Sequence, residues 1–398
     1  MDARTRVQQA LAGLDAWVTE HGWAGYDPYD LHHWRLQAPE ALARVKLGGR
    51  SPLGLVERLG HRYPRTARQV LGLEKRIYPK GMGLFGDAYA RWHALTGDPR
   101  HLRRAVEATR WLAEHPSAGY PGWGWGLPID WRSRQLFPAG TPCGIVTVIC
   151  GEAFTTLHRV TGDARWRDGE LKVAQALTEG LNVDPVGEGA VCFSFTPLDH
   201  FHVHNPNVLI AAWLVELGQA TDQPALVELG LKAGEYGLQD LTPEGYLTYW
   251  GSDQDRNGAL DHYHTGFEIR GFHRLWQATG DPRYEAATRR FFAWYAEHFF
   301  GPDGAPWRNP DDPGLIDVHG AAEALYCPAQ LAADLPEARA LLEKAVHWIE
   351  DHLALSPGVY AYRRYLPPRR PWLDQSVYVR WGQAWMMRGL VAALEALA

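Results

Sequence analysis

The stretch TGDPR at residues 96–100 decides the fold, because close copies of it punctuate the rest of the chain. The copies are TGDAR at 161–165, TDQPA at 221–225 and TGDPR again at 279–283. The threonines that begin these four stretches are 65, 60 and 58 residues apart. Each stretch has the pattern of a helix end, a tight turn and a new N-cap. The even spacing therefore predicts a repeated hairpin of two helices, in which a long loop joins each hairpin to the next hairpin.

The two helices of each hairpin differ in composition. The helix before the short turn is rich in small and apolar residues, as in 144–160, whereas the helix after it is amphipathic and charged, as in 165–181. This difference predicts an inner ring and an outer ring. We expect inner helices at about 84–96, 144–160, 206–220, 265–279, 319–333 and 377–397. Their outer partners are expected at about 99–115, 164–181, 223–238, 282–299, 337–353 and 5–20.

The first helix lacks an early partner, so it is predicted to pack against the last one and close the ring. One or two short helices are expected between residues 39 and 73. The fold class is therefore all-α, a single (α/α)6 toroid domain of six helical hairpins over residues 1–398. All long loops then lie at one end, and we expect the functional residues to gather there.

Composition limits the classes of function. Hydrophobic residues make up 46% and charged residues 22%, as in ordinary globular proteins. The net charge of −6 and pI near 6.3 argue against nucleic acid as the main partner. The apolar run GIVTVIC at 144–150 is too short to span a membrane. The charged N-terminus does not resemble a secretion signal, so we expect a cytoplasmic protein. The four cysteines form no Cys-x-x-Cys pair, which predicts free thiols and no cofactor.

Ionisable residues collect where three long loops enter inner helices. The clearest junction is SDQDRNGALDHYHTGFEIRGFHRL at 252–275; related junctions lie at 198–217 and 315–326. Aligning the expected helix starts places three pairs in register: His202/His204, His262/His264 and Asp317/His319. If the chain is extended there, both members of a pair point to the same side. The alignment predicts one shared pocket, with structural hydrogen bonding or a His-x-His metal site as the alternatives.

Proton transfer is the chemistry best suited to these histidines, because imidazole titrates nearest to neutral pH. We expect His264 to be the principal acid/base, His204 the second proton donor or acceptor, and His319 a further catalytic group. Glu268 lies one turn after His264 and is predicted to orient its imidazole. Arg380 is predicted to clamp a substrate carboxylate. No metal is expected.

Other polar and aromatic residues of the long loops are predicted to bind substrate. Flat rings stack on sugars, and cations hold carboxylates or phosphates. For the tryptophans, packing in loops or in the core is the alternative. The predicted binding residues are Tyr26, Asp27, Lys80, Trp123, Trp125, Asp130, Arg132, Arg134, His202, His262, Trp381 and Gln383, with Tyr29 and Trp131 as further stacking platforms.

The hairpin repeat resembles the (α/α)6 toroid of six-hairpin glycosidases, polysaccharide lyases and sugar epimerases. More closely, several strings resemble proteins encoded with bacterial surface-polysaccharide biosynthesis enzymes. They are GYDPYD (25–30), YPKGMGLF (78–85), YPGWGWGLPIDWRSR (120–134), FPAGTP (137–142), DHYHTGFE (261–268) and VRWGQAW (379–385). The resemblance covers almost the whole chain and implies a carbohydrate partner. It implies no particular reaction, because this toroid hosts several chemistries.

We therefore expect an enzyme that acts on an acidic, uronate-containing oligo- or polysaccharide, as a lyase or epimerase that abstracts a proton. Hydrolysis by paired carboxylates is the first alternative. A non-catalytic glycan-binding protein of polysaccharide biosynthesis is the second. The sequence leaves the sugar, the linkage and the oligomeric state open.

Overall fold

The computed structural model describes residues 1–39, 42, 45–46, 51–254 and 258–398. Within them the α-helices are α1 Ala3–His21, α2 Asp30–Leu36, α3 Pro52–Arg62, α4 Pro64–Val70, α5 Pro79–Thr96, α6 Pro99–Glu114, α7 Gly144–Thr161, α8 Ala164–Thr178, α9 His204–Ala220, α10 Pro224–Gln239, α11 His262–Thr279, α12 Pro282–His298, α13 Val318–Leu331, α14 Pro336–His352 and α15 Ala384–Ala396. A π-helical turn, Val379–Gln383, leads directly into α15. Among the described helices, none is long and apolar enough to cross a bilayer.

Short antiparallel strands occur in the long loops. Three pairs form hairpins: β1 Trp131–Arg132 with β2 Leu136–Phe137, β3 Val183–Val186 with β4 Ala190–Phe193, and β6 Ala354–Ser356 with β7 Val359–Tyr360. A three-stranded sheet has the order β5 Leu315–Asp317, β8 Arg363–Tyr365 and β9 Trp372–Asp374. The protein is thus an all-α toroid whose strands only shape the loops.

The TGDPR turns have the predicted structure of a helix end, a tight turn and a new N-cap. Gly97 adopts φ 68° and its N–H donates to the His93 carbonyl, which ends α5. Asp98 then caps α6 by accepting from the Arg100 N–H, with Pro99 at the first position. Such a left-handed backbone favours glycine. In the copy without glycine, Asp222 adopts the left-handed conformation instead, with φ 51°.

The ring is closed as predicted. Helices α5, α7, α9, α11, α13 and α15 form the inner ring, each packed against the next, and α15 packs back against α5. Helix α1 packs on the outside, against α14 and α15. Most helix bounds agree with the expected ones within about three residues. The main differences are two helix starts: α15 begins at Ala384, after the π-helical turn, and α5 begins at Pro79, so Lys80 lies in a helix and not in a loop.

The centre of the toroid contains charged side chains, although the inner helices were expected to be rich in small and apolar residues. Arg388 on α15 bonds Asp87 on α5 at 2.8 Å and Glu152 on α7 at 2.5 Å. Arg274 on α11 also reaches Glu152. Since α7 is adjacent in the ring to neither α11 nor α15, these pairs cross the interior. Arg270 and Glu323 form a further buried pair at 2.6 Å.

Candidate active site

A cavity of about 600 Å³ opens at the N-terminal ends of the inner helices. Every inner helix contributes its second residue to the lining, counting the π-helical turn as the start of the sixth. These six residues are Lys80, Ile145, Asn205, Tyr263, His319 and Arg380. Helix N-termini carry partial positive charge, so their convergence favours a negatively charged or strongly polar ligand. The volume falls in the usual range for small-ligand sites.

The predicted alignment of the histidine pairs is wrong, because the equivalent residues are His204 and His262. Each is the first residue of its helix, and neither lines the cavity. His262 packs among Tyr295, Phe299 and Phe300, and its Nδ1 lies 2.8 Å from the Trp307 carbonyl. Burial lowers its pKa to about 4. His262 and His264 are both helical, so their side chains do not share a side.

His204 and His202 also lie outside the cavity. The Nε2 of His204 is 3.0 Å from Asp240, beside the ring of Tyr236. His202 lies between two carboxylates, with Nε2 at 3.0 Å from Asp184 and Nδ1 bonded to Asp253. The predicted roles of His204 in proton transfer and of His202 in substrate binding therefore find no support in the geometry.

His264 does line the cavity, and Asp261 orients it. Asp261 accepts from the His264 backbone N–H at 3.0 Å and lies 2.7 Å from its Nδ1. Burial alone would raise the pKa of Asp261, but the charge and hydrogen bonds of His264 outweigh burial and lower it. The ionised carboxylate fixes Nδ1 as the protonated nitrogen, which leaves Nε2 as the base. The rings of Tyr249 and Tyr263 lie 4.6 Å and 4.1 Å from the imidazole.

Glu268 does not hold His264, contrary to prediction. Its side chain is buried outside the cavity lining, and its Oε1 has no hydrogen-bond partner in the described part of the chain. Burial, with a smaller effect from the charge of Asp261, raises the pKa of Glu268 well above its usual value. The protonated form of this carboxyl is therefore favoured relative to an ordinary glutamate.

His319 lines the cavity on the neighbouring inner helix. Its ring stacks on Tyr263 at 4.1 Å and lies 4.8 Å from Trp381. Neither ring nitrogen has a hydrogen-bond partner among the residues that the structure describes. Burial, followed by the charge of Lys80, holds its pKa well below the ordinary value. His319 is thus a neutral imidazole, separated from His264 by the ring of Tyr263.

Lys80 is a buried amine that faces the cavity. It is 7% exposed, and its Nζ lies 5.2 Å from the ring centroid of Trp385 and 5.7 Å from that of Phe267. Within the described part of the chain no carboxylate pairs with it. Burial, then repulsion from Arg380, lowers its pKa to about 7. An anionic ligand would restore the charged ammonium form.

Arg380 is not free to act as the predicted clamp. Its Nε and Nη2 donate to the two oxygens of Asp27 at 2.6 Å and 2.7 Å. Asp27 is fully buried and also accepts from the Tyr29 N–H. The nearby Trp381 donates its indole N–H to Asp317 at 3.0 Å. The pair Asp27–Arg380 thus builds the cavity wall, and Asp27 is not exposed to substrate.

Several predicted binding residues lie elsewhere. Trp125 is completely buried, with its indole N–H donated to the Leu112 carbonyl, and Gln383 bonds the backbone of Gly358 and Tyr360. The remaining four are partly buried or hydrogen-bonded in loops outside the cavity lining: Tyr26, Trp123, Asp130 and Arg134. Of the predicted binding residues and platforms, the cavity is lined by Tyr29, Lys80, Trp131, Arg132 and Trp381.

Sequence reasoning missed one wall of the cavity. It is formed by His32, Glu57 and His61 from α2 and α3, and by residues around β8 and β9, namely Tyr362, Arg363, Tyr365, Trp372, Asp374 and Tyr378. The long loops as a group were expected at this end of the toroid, but no motif pointed to the short helices. Among the described residues, no group of three or more His, Cys, Asp or Glu is arranged to hold a metal ion.

No family model and no curated protein matches this sequence, but solved structures share its architecture. The cellobiose 2-epimerase from Bacillus thermoamylovorans B4167 has a TM-score of 0.63 at 12% identity, over 81% of this chain and 90% of its own. A D-mannose isomerase has a TM-score of 0.61 at 11% identity, covering 80% and 87%. An unsaturated glucuronyl hydrolase specific for heparin has a TM-score of 0.60 at 10% identity, covering 99% and 97%.

At such identities the likeness establishes the fold. The predicted resemblance to six-hairpin (α/α)6 toroids is confirmed. The closer resemblance to proteins encoded with surface-polysaccharide enzymes stays a prediction.

Proposed function

We propose that the protein is a carbohydrate-active enzyme that moves a proton at the carbon next to the carboxylate of a uronic acid, as an epimerase or lyase of acidic glycans. The observation that carries this proposal is the Asp261–His264 pair, which presents an oriented base to a cavity that also contains the unpaired amine of Lys80. Proton abstraction beside a carboxylate requires a base together with a cation or strong donors for the enediolate.

His264 is the proposed base. Asp261 orients the imidazole and stabilises it when it becomes protonated, in the manner of other carboxylate–histidine pairs. His319 flanks the same part of the cavity across Tyr263. It is proposed to be the proton-transfer group on the opposite face of the sugar. An epimerase needs a group on each face of the sugar, whereas a lyase needs one base and a leaving-group donor.

Lys80 replaces Arg380 as the proposed partner of the carboxylate. It is the amine at the convergence of the inner-helix N-termini, and Arg380 is already bound to Asp27. Charge that develops on the enediolate would be stabilised by Lys80 and by the helix N-termini. Arg132, which is exposed at the mouth, is proposed to contact a neighbouring sugar.

The hydrolase alternative requires two carboxyl groups that face each other across a bond. Among the described lining residues the carboxyl groups are Glu57 and Asp374. Burial alone would raise the pKa of Glu57, but His32 and Arg35 lower it to about 2, so it is a poor general acid. Burial raises the pKa of Glu268, as a general acid requires, but Glu268 does not line the cavity. This arrangement favours proton transfer over hydrolysis.

The proposal is tested by incubating the protein with uronate-containing and neutral oligosaccharides in deuterated water. An epimerase incorporates deuterium into the sugar, and a lyase produces the ultraviolet absorbance of a conjugated unsaturated uronate. The His264→Gln variant is expected to lose whichever of these two signals the unaltered protein gives. Cleavage of neutral glycans with neither signal would favour the hydrolase. Binding of acidic glycans without any turnover would favour the glycan-binding protein.

A further inference from the structure

Residues 51–76 differ in charge from the rest of the chain. They contain six Lys or Arg against two Glu, within a protein of net charge −6. Among the basic side chains, Arg58, Arg62 and Arg65 are exposed, whereas Arg68 is buried. A local basic surface on an acidic protein attracts an anionic partner.

The same segment exposes an unusual amount of apolar surface. Leu55 and Leu59 on α3, and Tyr63 directly after its end, are 53%, 51% and 60% exposed and follow one another at intervals of four residues. Val56 and Val70 add to them at 37% and 78%. Single exposed apolar residues are normal, but several of them on one short segment are typical of an interaction surface. We call these five residues, with Arg58, Arg62 and Arg65, the rim patch.

The rim patch borders the cavity. On the opposite side of α3, Leu53 is buried, and Glu57 and His61 line the cavity. Arg62 lies 4.5 Å above the ring of Trp372, which also lines the cavity. One helix therefore has an inner face in the candidate active site and an outer face of leucine, valine, tyrosine and arginine.

We propose that the rim patch binds the surface of an anionic lipid bilayer. A helix with exposed aliphatic and aromatic side chains beside arginines has the composition of an interfacial membrane helix. The aliphatic groups would enter the headgroup boundary while the arginines contact lipid phosphates. Because Glu57 and His61 belong to the same helix, binding would place the cavity mouth beside the bilayer.

Two other occupants fit less well. In a two-fold dimer the same patch meets itself, which would bring the exposed arginines of both copies together. A soluble acidic polymer would satisfy the arginines but leave Leu55 and Leu59 exposed to water. A bilayer with anionic headgroups satisfies both kinds of side chain.

The test is cosedimentation of the full chain with vesicles of phosphatidylcholine and phosphatidylglycerol in equal parts, compared with vesicles of phosphatidylcholine alone. We expect binding to the anionic vesicles that weakens at about 1 M salt, where the Debye length is about 3 Å. Arg58→Gln with Arg65→Gln should lower the partition coefficient roughly 30-fold, since each basic residue contributes about 1 kcal/mol at such a surface. Leu55→Gln with Leu59→Gln should lower it at least about tenfold.

The matched control is Leu95→Gln with Leu198→Gln, because these leucines are similarly exposed, at 42% and 48%, but lie outside the rim patch. The control should bind like the unaltered protein, and all variants should keep its melting temperature. Failure of the unaltered protein to bind anionic vesicles at low salt would overturn the proposal. So would unchanged binding of the leucine variant to the anionic vesicles, or a dimer that the leucine variant abolishes.

Discussion

Asp261 bonds to His264 twice, through the backbone N–H at 3.0 Å and through the ring Nδ1 at 2.7 Å. The first bond caps helix α11, and the second fixes the imidazole that faces the cavity. Helix capping and orientation of the proposed base are thus performed by one carboxylate. The position of the imidazole is coupled to the start of the helix, which makes it rigid without any contribution from Glu268.

We predict that His264→Gln abolishes most of the turnover on acidic glycans while the protein still folds. The loss should be roughly 10² or more in kcat, the range expected for one acid/base group. The side chain of His264 is 21% exposed in the cavity, so stability should change little. Steady-state kinetics and thermal melting check both parts.

Asp261→Asn is predicted to lower kcat less than His264→Gln does, and also to cost about 1 kcal/mol of stability if the cap weakens. His200→Gln is the matched control, because His200 is exposed and paired with Asp184 away from the cavity. A His264 variant with full turnover would remove this histidine from the mechanism.

Lys80→Met is predicted to stabilise the ligand-free protein, and the gain should depend on pH. The pKa of Lys80 is about 7 in the folded chain and near 10.5 when unfolded. Between these values the unfolded chain holds the extra proton, so the stability of the unaltered protein rises with pH across this window. The advantage of Lys80→Met should be a few kcal/mol at pH 6 and decline towards pH 10.5.

Denaturant unfolding at several pH values measures this effect, with Lys232→Met as the control because Lys232 is exposed and paired with Glu228. Equal stability of the Lys80 variant and the unaltered protein at all pH values would mean that the amine is not desolvated. Binding of an acidic glycan should also take up a proton near pH 8, which calorimetry in different buffers detects.

Arg380→Ala is predicted to destabilise the protein by roughly 3–5 kcal/mol, because it leaves the buried carboxylate of Asp27 unpaired. This differs from the expectation for a free carboxylate clamp, whose removal would affect binding alone. The double variant Asp27→Asn with Arg380→Gln should recover part of the loss, since no buried charge remains. Chemical denaturation is the measurement; an Arg380→Ala variant as stable as the unaltered protein would show that the pair contributes little.

Gly13→Ala is predicted to weaken the closure of the ring. A Cβ at this position on α1 would lie 2.1 Å from the Pro357 carbonyl oxygen, so α1 must move away from the loop between β6 and β7. We expect a loss of about 1–3 kcal/mol. Gly54→Ala is the control, because its Cβ would meet no atom closer than 3.7 Å and should be neutral or slightly stabilising. Equal melting temperatures for both variants would contradict the tight closure.

The helices and the ring could be predicted because their determinants are local. Gly97, Asp98 and Pro99 end one helix and begin the next through contacts within a few residues. The same pattern recurs at even spacing, and the six helices rich in small and apolar residues bury one another when the hairpins close into a ring. The end at which the cavity opens follows from the placement of the long loops.

The cavity lining could be predicted only in part, because it depends on the rotation of each helix. A shift of one residue rotates a helix position by about 100°. The sequence alignment took His264 and His204 as equivalent, whereas the helices begin at His262 and His204. In the structure His204 and His262 do not line the cavity; the residues that follow them, Asn205 and Tyr263, line it together with His319.

The sequence by itself determined the hairpin repeat, the closed toroid and the end that carries the functional loops. Only the tertiary structure decided which polar groups are free and which are already paired. Asp27 and Arg380 are 353 residues apart, and no local pattern relates them. Lys80 and Arg380 both carry charge at the second position of an inner helix, but folding brings a carboxylate to one and aromatic rings to the other. Their different chemistry therefore follows from long-range packing.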